Sequence, residues 1–205
     1  MSALSALVPA AWPVTPVKAI IGAITRSIRR SSVSPPIRSV CYLSACTPDA
    51  PIIVGDARLT VMREPDGLFD VLVIDAFSSD AIPVHLMTRE AITGYFSKLA
   101  PGGILVMHIT NRYMELRSIL AAIAASERLA GAGLLHHRSA EEIKALRTTS
   151  EAVVLARSPD DIGQFVDSGW QPFDARTAGG VRAWTDDYSN IIAAIMRHHN
   201  GKPPL

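Results

Sequence analysis

From residue 51 onward the chain is built of short apolar runs, each closed by turn-forming residues. Pro51 to Val54, Val71 to Ile74, Ile104 to His108 and Ala152 to Ala156 are brief and mostly rich in β-branched residues. Runs of this length and composition predict parallel strands buried on both faces. Between them, Thr88 to Leu99 and Tyr113 to Ala130 have the length and the residue types of helices. Ser158-Pro159-Asp160-Asp161 supplies a capping hydroxyl, a first-turn proline and two acids for the positive end of another helix. Glu64-Pro65-Asp66-Gly67 reads as a turn, and Pro101-Gly102-Gly103 as the end of one helix and the start of the next strand. Strands alternating with helices imply an α/β sheet.

Residues 1–36 follow a different pattern, with Pro9, Pro13, Pro16, Pro35 and Pro36, several serines and no acid. Val17, Ile20, Ile21, Ile24 and Ile28 recur at helical spacing among Lys18, Arg26, Arg29 and Arg30. This predicts either a poorly ordered leader or a short basic amphipathic helix, the latter able to make weak contact with an anionic membrane surface. A secretory signal fits poorly, because the positive charges follow the apolar stretch and prolines interrupt it. The expected division is therefore a leader at 1–36, one α/β domain at 37–200 and a tail at 201–205.

The length of 205 residues suits one well-buried domain, and 48% hydrophobic with 19% charged residues suits a globular one. The net charge of +1 conceals an asymmetry, since Lys18, Arg26, Arg29, Arg30 and Arg38 all precede the first acid, Asp49. The body that follows is mildly acidic, which argues against a nucleic-acid partner and for a cationic ligand. Cys41 and Cys46 are the only two cysteines and cannot complete a four-ligand zinc site. Two reduced thiols point to a cytoplasmic location, with membrane association through the leader as the alternative. We expect no metal.

In open parallel sheets ligands lie beyond the carboxyl ends of the strands, so polar residues that follow the apolar runs come first. Two segments qualify: Gly55-Asp56-Ala57-Arg58, and Asp75-Ala76-Phe77-Ser78-Ser79-Asp80-Ala81-Ile82-Pro83. Asp56 could equally cap a helix over Ala57 to Met62. His85 stands near the second segment and either lines it or starts a helix. Asn111, Arg112 and Tyr113 follow the strand that ends near Thr110, and they too either face the ligand side or open the next helix. The adjacent pairs His136-His137 and His198-His199 lack the spacing that brings two histidines to one metal. No G-x-S-x-G elbow accompanies Ser78 and Ser79, which excludes that type of hydrolase.

Gly55-Asp56-Ala57, followed by Phe69 to Asp75 and the Ser-Ser-Asp and proline beyond it, resembles the spermidine synthase-like aminopropyltransferases. Pro101-Gly102-Gly103-Ile104-Leu105 is similar to the next strand of that family and of the wider methyltransferase fold. Trp184-Thr185-Asp186-Asp187-Tyr188-Ser189-Asn190 resembles the closing motif of its bacterial branch. The similarity runs from about Arg38 to about Met196, and it implies a Rossmann-like, methyltransferase-type sheet. It also implies aminopropyl transfer from decarboxylated S-adenosylmethionine to a polyamine such as putrescine. That compound enters as co-substrate, and no tightly bound cofactor is expected.

By motif position Asp75 takes the amine's proton, Asp80 meets the far ammonium with His85 near it, and Asp56 with Ala57 holds the adenine. Tyr188 and Trp184 would face the methylene chain. The family's glycine-rich turn and ribose carboxylate have no counterpart before Gly55, where Gly22 is the only glycine. The sheet is therefore expected to be N-terminally incomplete and, if the leader does not replace the lost strands, to leave an uncovered edge and apolar surface near residues 51–57 that favour a homo-oligomer. Two alternatives stay open: an S-adenosylmethionine-dependent methyltransferase, and a non-catalytic remnant that binds a partner or a polyamine.

Overall fold

The computed structural model describes residues 19–21, 53, 55–75, 84–111, 113–136, 149–174 and 176–199. Among these, six strands form one sheet: β1 (Ala19–Ile21), β2 (Phe69–Ile74), β3 (Leu99–His108), β4 (Ala130–His136), β5 (Ser150–Ala156) and β6 (Gln171–Pro172). Its order is β1-β2-β3-β5-β4-β6. The β1/β2 and β2/β3 pairs are parallel, whereas β5 runs antiparallel to both β3 and β4, and β6 antiparallel to β4. The result is a mixed α/β sheet, with β1 to β4 pointing one way.

Successive side chains of a strand face opposite sides, and the core divides accordingly. Leu72 and Ile74, Leu105 and Met107, and Val153 and Leu155 face one side. There they pack with α1 (Ala57–Met62), α2 (Arg89–Lys98) and α3 (Arg117–Glu127), and with Trp184 and Ala194. Ile104, Ala152, Val154 and Ala156 face the other, under Ile162, Phe165 and Trp170. Those three belong to, or directly follow, the 3-10 turn Pro159–Ile162 and α4 (Gly163–Asp167). The last helix, α5 (Ile191–His199), adds Ala194 to the first side and leaves Ile192 and Met196 exposed.

Several elements form where local chemistry predicts them. Thr88 caps α2 by accepting the Ala91 N–H, with Glu90 in the first turn and Lys98 in the last. Ser158 and Asp161 form a capping box at the turn that leads into α4. α3 is shorter than the expected span of 113–130. Asn111 Oδ1 accepts the N–H groups of Tyr113 and Met114 at 2.8 and 2.9 Å, which holds those residues in a turn instead of a helix. The helix ends at Arg128, whose φ of 55° is left-handed.

One expectation needs correction, and two others fall largely outside the described residues. The strand at Ala152 to Ala156 exists but is antiparallel, because the chain reaches it through the strand β4 directly beside it. β4 itself was hidden in Ala130-Gly131-Ala132-Gly133, which carries little β-branched signal. A Cβ at Gly133 would collide with the guanidinium of Arg117, so the missing side chain makes room for that buried cation. Of the strand expected at Pro51 to Val54 only Ile53 lies among the described residues, and it is exposed and outside any strand. Of the leader's expected amphipathic helix, the described residues Ala19–Ile21 are extended and paired with β2, where ladder hydrogen bonds satisfy the backbone. At β2 the leader thus supplies a strand, the condition under which no open edge is expected there. Among the described residues no helix is long and apolar enough to cross a membrane.

Gly103 sits where β2 and β3 come closest, and a Cβ there would lie 2.9 Å from the carbonyl oxygens of Ala100 and Phe69. Gly103→Ala is expected to destabilise the fold by about 1–3 kcal/mol, read as a lower urea midpoint. Gly163→Ala adds a Cβ that meets nothing within 4 Å on αR backbone, so its midpoint should hold or rise.

Candidate active site

The parallel strands β2 and β3 deliver two polar side chains at their carboxyl ends. Asp75 directly follows β2, and His108 closes β3. Asp75 Oδ1 lies 2.9 Å from His108 Nδ1, and both side chains are about a quarter exposed, at 28% and 22%. His108 Nε2 meets Thr110 Oγ1 at 2.7 Å, and that oxygen accepts the Glu151 N–H at 2.7 Å. A carboxylate, an imidazole and a hydroxyl are thus held in a row at the sheet edge where ligands of open sheets bind.

A second carboxylate and imidazole meet where α1 begins and the 3-10 turn Val84–Leu86 passes it. Asp56 caps α1, with Oδ1 accepting the Leu59 N–H at 2.9 Å and Oδ2 lying 2.8 Å from His85 Nε2. Burial works to raise the Asp56 pKa, but the Leu59 N–H and then the His85 ring outweigh it and hold the carboxyl below its ordinary value. The helix reading of Asp56 is therefore realised. The Arg58 N–H also favours the ionised carboxylate, and the side chain stays partly exposed. Ala57, the first residue of α1, is buried.

Both helix ends are tied to the motif at 184–190. Arg58 forms a two-pronged ion pair with Asp186, at 2.7 Å on each prong. Asp186 Oδ1 also accepts the Thr88 hydroxyl at 2.7 Å, and Arg58 donates to the His85 carbonyl at 3.1 Å. The Arg89 N–H donates to the Trp184 carbonyl at 2.8 Å, and the Asp186 N–H to Glu90 Oε2 at 3.0 Å. Arg58 and then Thr88 lower the Asp186 carboxyl to about 2. This knot escaped the sequence reading, although both partners stand in motifs that reading had marked; nothing local couples positions so far apart. His108 escaped it too, and its only signal was a lone polar residue ending an apolar strand.

The remaining candidates divide. Asp80, with Ser78, Ser79 and Pro83, lies outside the described residues, as do Cys41 and Cys46. Trp184 is 1% exposed and packs mainly in the core, although it borders the cavity that Tyr188 lines. The ring of Tyr188 carries the Arg182 guanidinium 4.3 Å from its centroid. Tyr188 lines a cavity of about 330 Å³ with Arg182 and Arg197, and neither Asp56, Asp75 nor His85 borders it. The structure brings Asp75 to His108 and Asp56 to His85, while Tyr188 also lines a second hollow with Arg89, Glu90 and Asp187. Among the described residues no three His, Cys, Asp or Glu side chains are placed to hold a metal ion.

Behind the site, Arg117 Nε stands 3.7 Å from Glu151 Oε1, and both side chains are largely buried. Burial raises the Glu151 carboxyl to about 7; Arg117 pulls it down and Glu115 pushes it up.

The chain is similar in structure to spermidine synthases. A probable spermidine synthase from Corynebacterium glutamicum matches at 20% identity and a TM-score of 0.47, over 73% of this chain and 61% of that one. Spermidine synthase from Thermotoga maritima matches at 14% identity and 0.44, over 78% and 50%. A SAM-dependent methyltransferase from Archaeoglobus fulgidus matches at 14% identity and 0.39, over 57% and 71%. The chain spans 61% and 50% of the two synthases, and at these identities the likeness assigns no activity. No protein-family model and no curated protein matches the sequence.

Two pH responses follow from these environments. The Asp186 carboxyl lies at about 2, below its ordinary 3.8, so the stability it contributes is full above that ordinary value and is lost as pH falls through about 2. The difference in urea midpoint between wild type and Asp186→Asn should accordingly shrink on acidification, and its size stays small because the carboxylate is 42% exposed. Glu151 behaves in the opposite sense. Its pKa is raised from 4.5 to about 7, so its contribution is full below pH 4.5 and is lost as pH rises through about 7. Glu151→Gln should flatten the stability profile across that window.

Proposed function

We propose that the chain carries an aminopropyl-transfer site in which Asp75 is the base, decarboxylated S-adenosylmethionine the donor and a polyamine such as putrescine the acceptor. The observation that supports this reading is the Asp75 carboxylate itself, partly exposed at the carboxyl end of β2 with one oxygen held by His108. A primary amine must shed a proton before its nitrogen can attack the carbon beside a sulfonium. Asp75 takes that proton; a C–N bond forms as the C–S bond breaks, and the bonding pair stays on sulfur as neutral methylthioadenosine departs.

In this reading the partly exposed Asp56 carboxylate receives the adenine's exocyclic amine beside Ala57, and His85 fixes that carboxylate. The far ammonium of the acceptor needs a carboxylate once it leaves water, a role the motif assigns to Asp80. The mildly acidic body and the two cysteines agree with a cationic substrate and a cytoplasmic setting.

One observation favours a second reading. Both Asp56 oxygens already bond within the chain, so a protein that has ceased to bind nucleoside would keep the same geometry for stability alone. Mass spectrometry of the full chain with putrescine and either donor separates the cases. Methylthioadenosine from the decarboxylated donor is expected; S-adenosylhomocysteine from S-adenosylmethionine would make the chain a methyltransferase, and neither product would leave the non-catalytic reading. Asp75→Asn is expected to lower turnover ~10²–10⁴-fold while calorimetry shows nucleoside binding intact. Turnover retained in that variant would remove Asp75 from the chemistry.

A further inference from the structure

The row of groups behind Asp75 has a definite hydrogen-bond polarity. The Glu151 N–H can only donate, and Thr110 Oγ1 accepts it at 2.7 Å. Among the described residues the Thr110 hydroxyl hydrogen then has two acceptors in reach, His108 Nε2 at 2.7 Å and the Glu151 carbonyl at 3.4 Å. The carbonyl is long for an O–H donor and already accepts the Ile109 N–H at 2.8 Å, so the hydroxyl turns to Nε2. With Nε2 accepting, a neutral imidazole carries its hydrogen on Nδ1, which faces Asp75 Oδ1 at 2.9 Å. The opposite neutral tautomer would set a bare Nδ1 lone pair against a carboxylate.

We infer that His108 is the positioning residue of this site: its Nδ1–H holds one oxygen of Asp75, and the Thr110 hydroxyl locks the imidazole tautomer that makes this donation possible. The inference rests on the aminopropyl reading for its catalytic consequence, but not for its geometry. It divides the labour within the Asp75–His108 pair. Both nitrogens of His108 are engaged, so the imidazole is not the group that takes the amine's proton. That leaves the second oxygen of Asp75, aimed by the grip on the first. The arrangement follows the general logic of a base oriented by a third group, with a carboxylate as base and a hydroxyl-locked imidazole as its holder.

Long-range proton–nitrogen NMR of the nitrogen-15-labelled full chain reads the tautomer directly, with His108 assigned by the loss of its signals in His108→Asn. Wild type should show a protonated Nδ1 and an unprotonated Nε2 on neutral His108, and Thr110→Val should mix the two tautomers. A wild-type ring protonated at Nε2 alone overturns the inference. For the catalytic consequence, His108→Ala should lower kcat ~10²-fold with KM for the amine nearly unchanged. His108→Asn places an amide N–H close to the Nδ1 position and should recover at least ~10-fold of that loss. Equal kcat in His108→Ala and wild type, or no recovery by asparagine in a folded variant, also overturns it. If wild type yields no methylthioadenosine the aminopropyl reading falls by itself, and the tautomer measurement still decides the role of Thr110.

Discussion

The two-pronged pair between Arg58 and Asp186 is the contact on which the arrangement of the site depends. It joins residues 128 positions apart, at 2.7 Å on each prong, and everything near the second carboxylate is fastened to it. Arg58 lies in the first turn of α1, two residues from Asp56, and its guanidinium also holds the carbonyl of His85. Asp186 takes the hydroxyl of Thr88, the same oxygen that caps α2. The pair is partly exposed, so its contribution to global stability is modest. Its consequence is geometric, because a guanidinium fork meeting a carboxylate fixes direction as well as distance. The starts of two helices and the 184–188 turn are thereby held in one register.

Beneath this knot the sheet supplies a second, more rigid frame. β2 and β3 are paired in parallel along their apolar halves, so Asp75 and His108 leave the sheet side by side. β5 runs the other way along β3, which brings its first residues, Ser150 and Glu151, to the edge where β3 ends. An antiparallel neighbour therefore offers the Glu151 backbone to Thr110, where a parallel one would have presented its last residues instead. The direction of β5, which composition could not reveal, is what places the imidazole's anchor.

How much of this could be read in advance depends on how far apart the interacting groups stand. The helix from Thr88, the capping residues Ser158 and Asp161, and the apolar runs of β2 and β3 all act within a few residues, and each was legible. The Asp56 cap on α1 was legible as one of two uses of the same residue. β4 was not, because its glycines serve the bulk of Arg117 and carry no strand signal of their own. Trp184 looked like a surface for a methylene chain and is core, since an aromatic ring in a motif does not announce which side of the chain is solvent. The stacking of Arg182 on Tyr188 was likewise invisible in advance, because it depends on how the segment between them turns.

The sequence alone determined the alternation of strand and helix, the placing of acids directly after apolar runs, and the acidic balance of the body. All of these follow from nearest-neighbour chemistry and from counting. Only the tertiary structure decided that Ala19–Ile21 covers the β2 edge, that β5 is reversed, that Arg58 grips Asp186, and that Asp75 is met by His108 and not by Tyr188. Those outcomes depend on backbone pairing and side-chain packing between distant segments, where many partners are compatible with each residue and only the folded geometry selects one.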